Sequence, residues 1–314
     1  MKQRIITACG LVALLTLLFL TKQNAPIIFD IGIVLLAIVA GYEMSELLKK
    51  IGYYNNKWCI IAYPVVSYIL YRICFAKKIS LLISIIMQIA LILIICAGLA
   101  LYHIFRKKLT DNEIKTRKLK CSIEQFSIFK GIQTVFGIIY PCFIIMLLVL
   151  INNLKLINYT VTKFAGYEYA VSLFLLIYTF AVPVFVDTFA MFTGSIFKGK
   201  KLCERISPNK TISGAIGGLV WGTLGSILIF AIFNAIDAYN MIFQTIGFAW
   251  WQFLILGIIA SVLCQIGDIF ESFLKRKANV KDSGNILPGH GGVLDRIDSH
   301  IANIIIVFVF ILLI

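Results

Sequence analysis

The chain has 314 residues, of which 60% are hydrophobic and 14% charged, against roughly 25% charged in an ordinary soluble protein, and its mean hydropathy is +0.94. These values exclude a soluble globular enzyme, whose core would need far more polar covering, and a disordered chain. The apolar runs extend along the whole length, which excludes a single anchor. They lack the period-2 alternation of a membrane β-barrel, so the predicted class is all-α, a polytopic integral membrane protein.

Nine spans are predicted, over residues 5–21, 25–42, 58–74, 79–102, 131–151, 169–192, 214–233, 249–267 and 292–314. The first follows Lys2 and Arg4 as a signal peptide would, but no small-residue cleavage site comes after it, so it is read as a membrane helix. The purely apolar part of the last, Ile301 to Ile314, is too short to cross a bilayer. Either that helix does not span, or it carries Asp295, Arg296, Asp298, Ser299 and His300 in its first turns. A cytosolic N-terminus leaves 23 of the 29 Lys and Arg on the cytosolic side and 6 on the other. This bias predicts an external C-terminus and explains the net charge of +14 with no nucleic-acid partner. Cys9, Cys59, Cys74, Cys96, Cys142 and Cys264 sit in or beside apolar runs as small packing residues, and Cys121 and Cys203 fall in basic loops.

Residues 1–165 alternate spans with basic loops and concentrate no chemistry. In residues 166–314 the polar residues gather at the cytosolic ends of the last four spans, which predicts a C-terminal catalytic membrane region with its site at the cytosolic face.

The densest constellation runs from Ser272 to Asp298, with Gly267-Asp268 just before it. Asp268 ends the eighth span and Asp295 starts the ninth, so antiparallel helices bring both carboxylates to one depth. There they either share a cation, for which hard oxygen ligands favour Mg²⁺, or each caps a helix or pairs with Lys275 or Arg296. Lys275, Arg276, Lys281 and His290 supply cations or donors for phosphate, while Lys277 is read as topological. Pro288 to Gly292, with His290, Gly291 and Gly292, forms either a backbone anion nest or a tight turn, and it leads into a helix N-terminus whose free N–H groups favour an anion. Asp298 and Ser299 share a helix face with Asp295.

A second constellation is Ser207-Pro208-Asn209-Lys210-Thr211, followed by Gly214, Gly218, Gly222 and Ser226. The spacing of four predicts close helix packing, and Ser207-Pro208 reads as a helix start. Lys210 and Thr211 fall at the same face as the carboxylates. The third is Asp187-Thr188 near the end of the sixth span, where a buried Asp needs a partner.

These residues closely resemble the signature of the phosphatidate cytidylyltransferase family: Ser272, Lys275-Arg276, Lys281-Asp282-Ser283-Gly284, Pro288 to Gly292, Asp295-Arg296 and Asp298, preceded by Gly267, Asp268, Glu271 and by Ser207, Pro208, Lys210 and Thr211. The sequence departs from the family pattern at Phe189 to Ser195, at Ser213 and at Asn279. The resemblance implies transfer of a cytidylyl group from CTP to phosphatidate, releasing pyrophosphate. It implies Mg²⁺ on Asp268 and Asp295, with a second cation as an option, and catalytic roles for Asp268, Asp295, Lys281 and Asp298. Asp187, Ser207, Lys210, Thr211, Ser272, Lys275, Arg276, Asp282, His290, Gly291, Gly292 and Arg296 would contact substrates. A bacterial inner membrane is the expected location, and a homodimer is left open. Two alternatives remain: a cytidylyltransferase acting on another lipid phosphate, and a cation-coupled transporter, although transporters place their site nearer the bilayer midplane.

Overall fold

The computed structural model describes residues 10, 13, 15–22, 24–106, 110, 113–114, 122–156, 166–289 and 291–313. Its helices are α1 (Pro26–Ile51), α2 (Lys57–Ala76), α3 (Leu81–Phe105), α4 (Ile123–Gly137), α5 (Ile144–Asn152), α6 (Glu168–Phe197), α7 (Ile212–Asn234), α8 (Asp237–Ile246), α9 (Trp250–Lys277) and α10 (Leu294–Leu313). A wide π-turn, Ile138–Phe143, joins α4 to α5 around Pro141, which has no N–H to donate. Counting α4 and α5 as one span, eight described helices are long and apolar enough to cross a membrane. Eight predicted spans fall on them. Most of the first, 5–21, lies outside the described residues, although 15–21 are helical.

The boundaries differ where charged residues continue a helix. The second predicted span is 25–42, yet α1 runs on to Ile51 and carries Glu43, Ser45 and Glu46 within the helix. Left-handed Gly52 and the basic Lys49 and Lys50 close it. Likewise α9 continues to Lys277, so Ser272, Lys275 and Arg276 are helical rather than in a loop. The last helix begins at Leu294 and does carry Asp295 and Asp298 in its first turns.

Ser207-Pro208 does not start a helix. Lys201–Cys203 (β1) and Ser207–Thr211 (β2) form an antiparallel hairpin. Helix α7 starts at Ile212, capped by Thr211, whose Oγ1 accepts from Gly214 N–H at 3.1 Å. Pro208 lies inside β2 between its paired residues Ser207 and Thr211.

All nine residues of α5 are buried, which suits a helix apolar on every side. The small-residue stripe of α7 packs as predicted. Gly218 lies against Ala190 and Val186, Gly222 against Val186 and Ser261, and Ser226 bonds Tyr178 Oη and Phe253 O, both at 2.6 Å. Away from the site, Phe174, Phe230, Phe243, Phe248, Phe253 and Phe310 form an aromatic cluster, with Phe230 and Phe253 stacked at 4.7 Å. At that end Asp30 of α1 accepts from Asn152 and Asn153, each at 2.8 Å. The described cysteines are all free, with Cys74, Cys142 and Cys264 buried as packing residues; Cys9 and Cys121 lie outside the described residues.

Candidate active site

The polar residues gather at the opposite end in two adjoining parts. The first is a cavity of about 710 Å³ between α6, the hairpin, α7 and α9, lined by Asp187, Ser207, Lys210, Thr211 and Asp268 among others. Lys210 Nζ is 2.7 Å from Asp268 Oδ2, and both side chains remain partly exposed to the cavity. Ser272, one turn on, places its hydroxyl 3.5 Å from Asp268 Oδ1. Asp187 was expected to be buried; it faces the cavity and accepts from Ser299 Oγ at 2.7 Å, which ties α6 to α10. Met191, Phe192, Ile196 and Phe197 continue the same wall as an exposed apolar surface.

The second part is a closed clamp around the loop before α10. Asp295 Oδ2 accepts from Ser283 N at 2.8 Å, Ser283 Oγ at 3.0 Å and Gly292 N at 2.9 Å, while Oδ1 accepts from Lys275 Nζ at 2.6 Å. Lys275 Nζ also lies 3.3 Å from Glu271 Oε1, in an ion pair not aligned as a hydrogen bond. Both Glu271 oxygens are buried with no hydrogen-bond donor among the described residues. Glu43 of α1 accepts from Val293 N at 3.0 Å, Leu294 N at 2.8 Å and Ser283 Oγ at 3.4 Å.

The Gly292, Val293 and Leu294 amides at the start of α10, expected to be free for an anion, are therefore taken by the chain's own carboxylates. On either side of the Pro288 to Gly292 segment's undescribed His290, Leu287 N donates to Gly291 O at 3.0 Å. Gly291 has φ +82°, a conformation that side chains resist, and a Cβ at Gly292 would collide with Ser283 Oγ. Asn279, where the family pattern has Gly, takes φ +55° and closes α9, which Asn tolerates better than most residues.

Asp298 joins the two parts. It is buried, accepts from Ser299 N at 2.8 Å and feels the charges of Asp268, Asp187 and Lys275. Arg276 is exposed and donates through Nε to Ile206 O at 3.1 Å, holding the hairpin. Lys281 and Asp282 are exposed; Asp282 lies against Gly291, and Lys281 has no hydrogen bond or ion pair among the described residues. Arg296 is exposed on the first turn of α10, and His290 lies outside the described residues.

Sequence reasoning missed Glu43, the role of Ser283, and Gln265, which lines the cavity and donates to Ala215 O and Ser261 O. A charge or amide within an apolar helix was the available signal; for Glu43 it was lost because the span was ended one residue too early.

Among the described residues no three His, Cys, Asp or Glu side chains form a metal-ligand set. Asp268 faces the cavity with oxygen donors of the kind a hard cation takes alongside water and phosphates. Asp295 accepts three hydrogen bonds on Oδ2 and one, from Lys275, on Oδ1.

Residues 2–314 match the Cytidylyltransferase family. The chain is 39% identical over 135 residues to a protein of Brucella abortus named phosphatidate cytidylyltransferase, covering 43% of this chain and 46% of that one. To proteins of the same name it is 44% identical over 136 residues in Rickettsia prowazekii (43% and 57%) and 46% over 114 residues in Rickettsia typhi (36% and 48%). The chain spans about half the length of the curated relatives it matches.

Proposed function

The chain belongs to the Cytidylyltransferase family, and on that premise we propose that it is a phosphatidate cytidylyltransferase, making CDP-diacylglycerol and pyrophosphate from CTP and phosphatidate. The observation that carries this reading is the cavity, where the Lys210–Asp268 pair and two hydroxyls meet beside an exposed apolar surface. Such a site suits a lipid phosphate entering sideways from the leaflet while a nucleotide arrives from water.

The lipid phosphate is ionised, so it is already a nucleophile and no strong general base is needed. One of its oxygens attacks the α-phosphorus of CTP; the bond to the α–β bridging oxygen breaks and pyrophosphate leaves. Catalysis is then positioning and charge neutralisation. Lys210 offers a cation at the cavity, Ser207 and Thr211 offer hydroxyl donors, and Met191, Phe192 and Ile196 provide a surface for acyl chains. Asp268 and Asp295 Oδ1 would hold Mg²⁺, which when bound supplies positive charge to the triphosphate.

The charge bias of 23 to 6 supports placing this end in the cytosol of a bacterial inner membrane, with the C-terminus outside. An impermeant thiol reagent added to intact cells should not label cysteines placed at Gly199 or Lys277; labelling there would reverse the orientation. The activity is tested by CTP-dependent pyrophosphate release from the purified protein with a panel of lipid phosphates. Phosphatidate should be the preferred acceptor, and no release with any lipid phosphate from folded protein would defeat the proposal.

A further inference from the structure

Glu43 belongs to the N-terminal half, in which the sequence shows no concentration of chemistry, yet its carboxylate lies inside the C-terminal clamp. It is 2% exposed and no cation pairs with it among the described residues. Its charge is met by Val293 N–H, Leu294 N–H and the Ser283 hydroxyl. A carboxylate there uses the positive end of α10 and fills two of the N–H groups that a helix start leaves without partners. Ser283 lies between two acids: its hydroxyl is 3.0 Å from Asp295 Oδ2 and 3.4 Å from Glu43 Oε2. The loop is cut to fit. A Cβ at Gly284 would collide with Glu43 Oε1, and one at Gly292 would come within 2.6 Å of Glu43 Oε2.

We propose that Glu43 is a positioning residue for cytidylyl transfer: it fixes the Ser283–Gly292 loop and the first turn of α10, and so aims Asp295 Oδ1. This rests on the functional reading above. A hydrocarbon residue would fill the same space at lower cost in an apolar helix, where a bare carboxylate is expensive. The same helix supplies a contrast, because Asp30 is equally buried but its partners Asn152 and Asn153 belong to the far end.

The test compares Glu43→Gln, Glu43→Asp, Gly284→Ala and the control Asp30→Asn by kcat, KM and the Mg²⁺ concentration for half-maximal turnover. Loop mobility is read as the rate of maleimide labelling of a cysteine placed at exposed Asn285, corrected for labelling of the native cysteines. Glu43→Gln should cut kcat about tenfold or more, raise the Mg²⁺ requirement and speed labelling at 285. Gly284→Ala, which displaces Glu43 without removing it, should do the same more weakly and serves if Glu43→Gln fails to fold. Glu43→Asp should recover part of the loss, and Asp30→Asn should leave kcat and the Mg²⁺ requirement unchanged. Unchanged kcat and labelling in folded Glu43→Gln would overturn the proposal, as would losses in Asp30→Asn that matched it. If the wild-type protein released no pyrophosphate, the functional reading would fail, while the labelling comparison would still decide whether Glu43 holds the loop.

Discussion

Two parts of one site treat a carboxylate in opposite ways. In the cavity, Asp268 meets one cation, Lys210, and both side chains stay about a quarter to a third exposed, at 25% and 30%. In the clamp, the Asp295 side chain is 5% exposed and accepts from four donors, three of them in the loop it anchors. The sequence makes these two acids look equivalent, one at the end of a span and one at the start of the next. Their surroundings set them apart: Asp268 opens onto the cavity, and Asp295 is committed to the loop through Oδ2 and to Lys275 through Oδ1.

The sharpest break of that comparison is to neutralise each acid in turn. Asp295→Asn should cost both activity and fold. It leaves Lys275 beside the buried Glu271 and replaces an acceptor by an amide, and breaking a buried pair costs about 3–5 kcal/mol. Thermal melting in detergent should show a large drop, and an unchanged melting temperature would remove Asp295 from the clamp. Asp268→Asn should cost turnover alone. Its partly exposed pair with Lys210 contributes about 0–1 kcal/mol to stability, but losing a charge that acts in the transition state typically lowers the rate about 100-fold or more. Near-normal turnover with the same Mg²⁺ dependence would return Asp268 to a simple salt-bridge partner. The double variant should turn over little more slowly than the slower single one, because groups serving one centre do not add.

Much of this was legible in the sequence, for identifiable reasons. Membrane helices reveal themselves by unbroken apolar length, and the α7 stripe by its spacing of four. The constellations pointed to Asp187, Ser207, Lys210, Thr211 and Asp268, which the fold brings to one cavity. The failures have two causes: charge marks a loop in the sequence reading, and Ser-Pro marks a helix start. Glu43 was excluded from its helix, Lys275 and Arg276 were given to a loop, and the hairpin was read as a helix start. Nor could a linear pattern show that the Val293 and Leu294 amides are already taken, since their acceptor, Glu43, lies 250 residues from the first and 251 from the second. Only the tertiary fold pairs an N-terminal carboxylate with a C-terminal helix start.

The smallest effect separates the two lysines that bracket the clamp. Lys275 is committed to Asp295 and Glu271, so its charge serves the interior. Lys281 is exposed at the start of the loop and has no such commitment among the described residues. If Lys281 attracts a phosphate, it does so through water, where screening is strong and salt-dependent. Lys281→Ala should then raise the KM for CTP or phosphatidate several-fold at low ionic strength and leave the melting temperature unchanged. The difference from wild type should shrink as salt rises to about 0.5 M, where the Debye length falls well below 8 Å. Lys275→Ala should behave in the opposite manner, with a lower melting temperature and little salt dependence. Kinetics for Lys281→Ala that match wild type at every salt concentration would leave that lysine with topology alone, and phosphate recognition would then rest on Lys210 and the cavity.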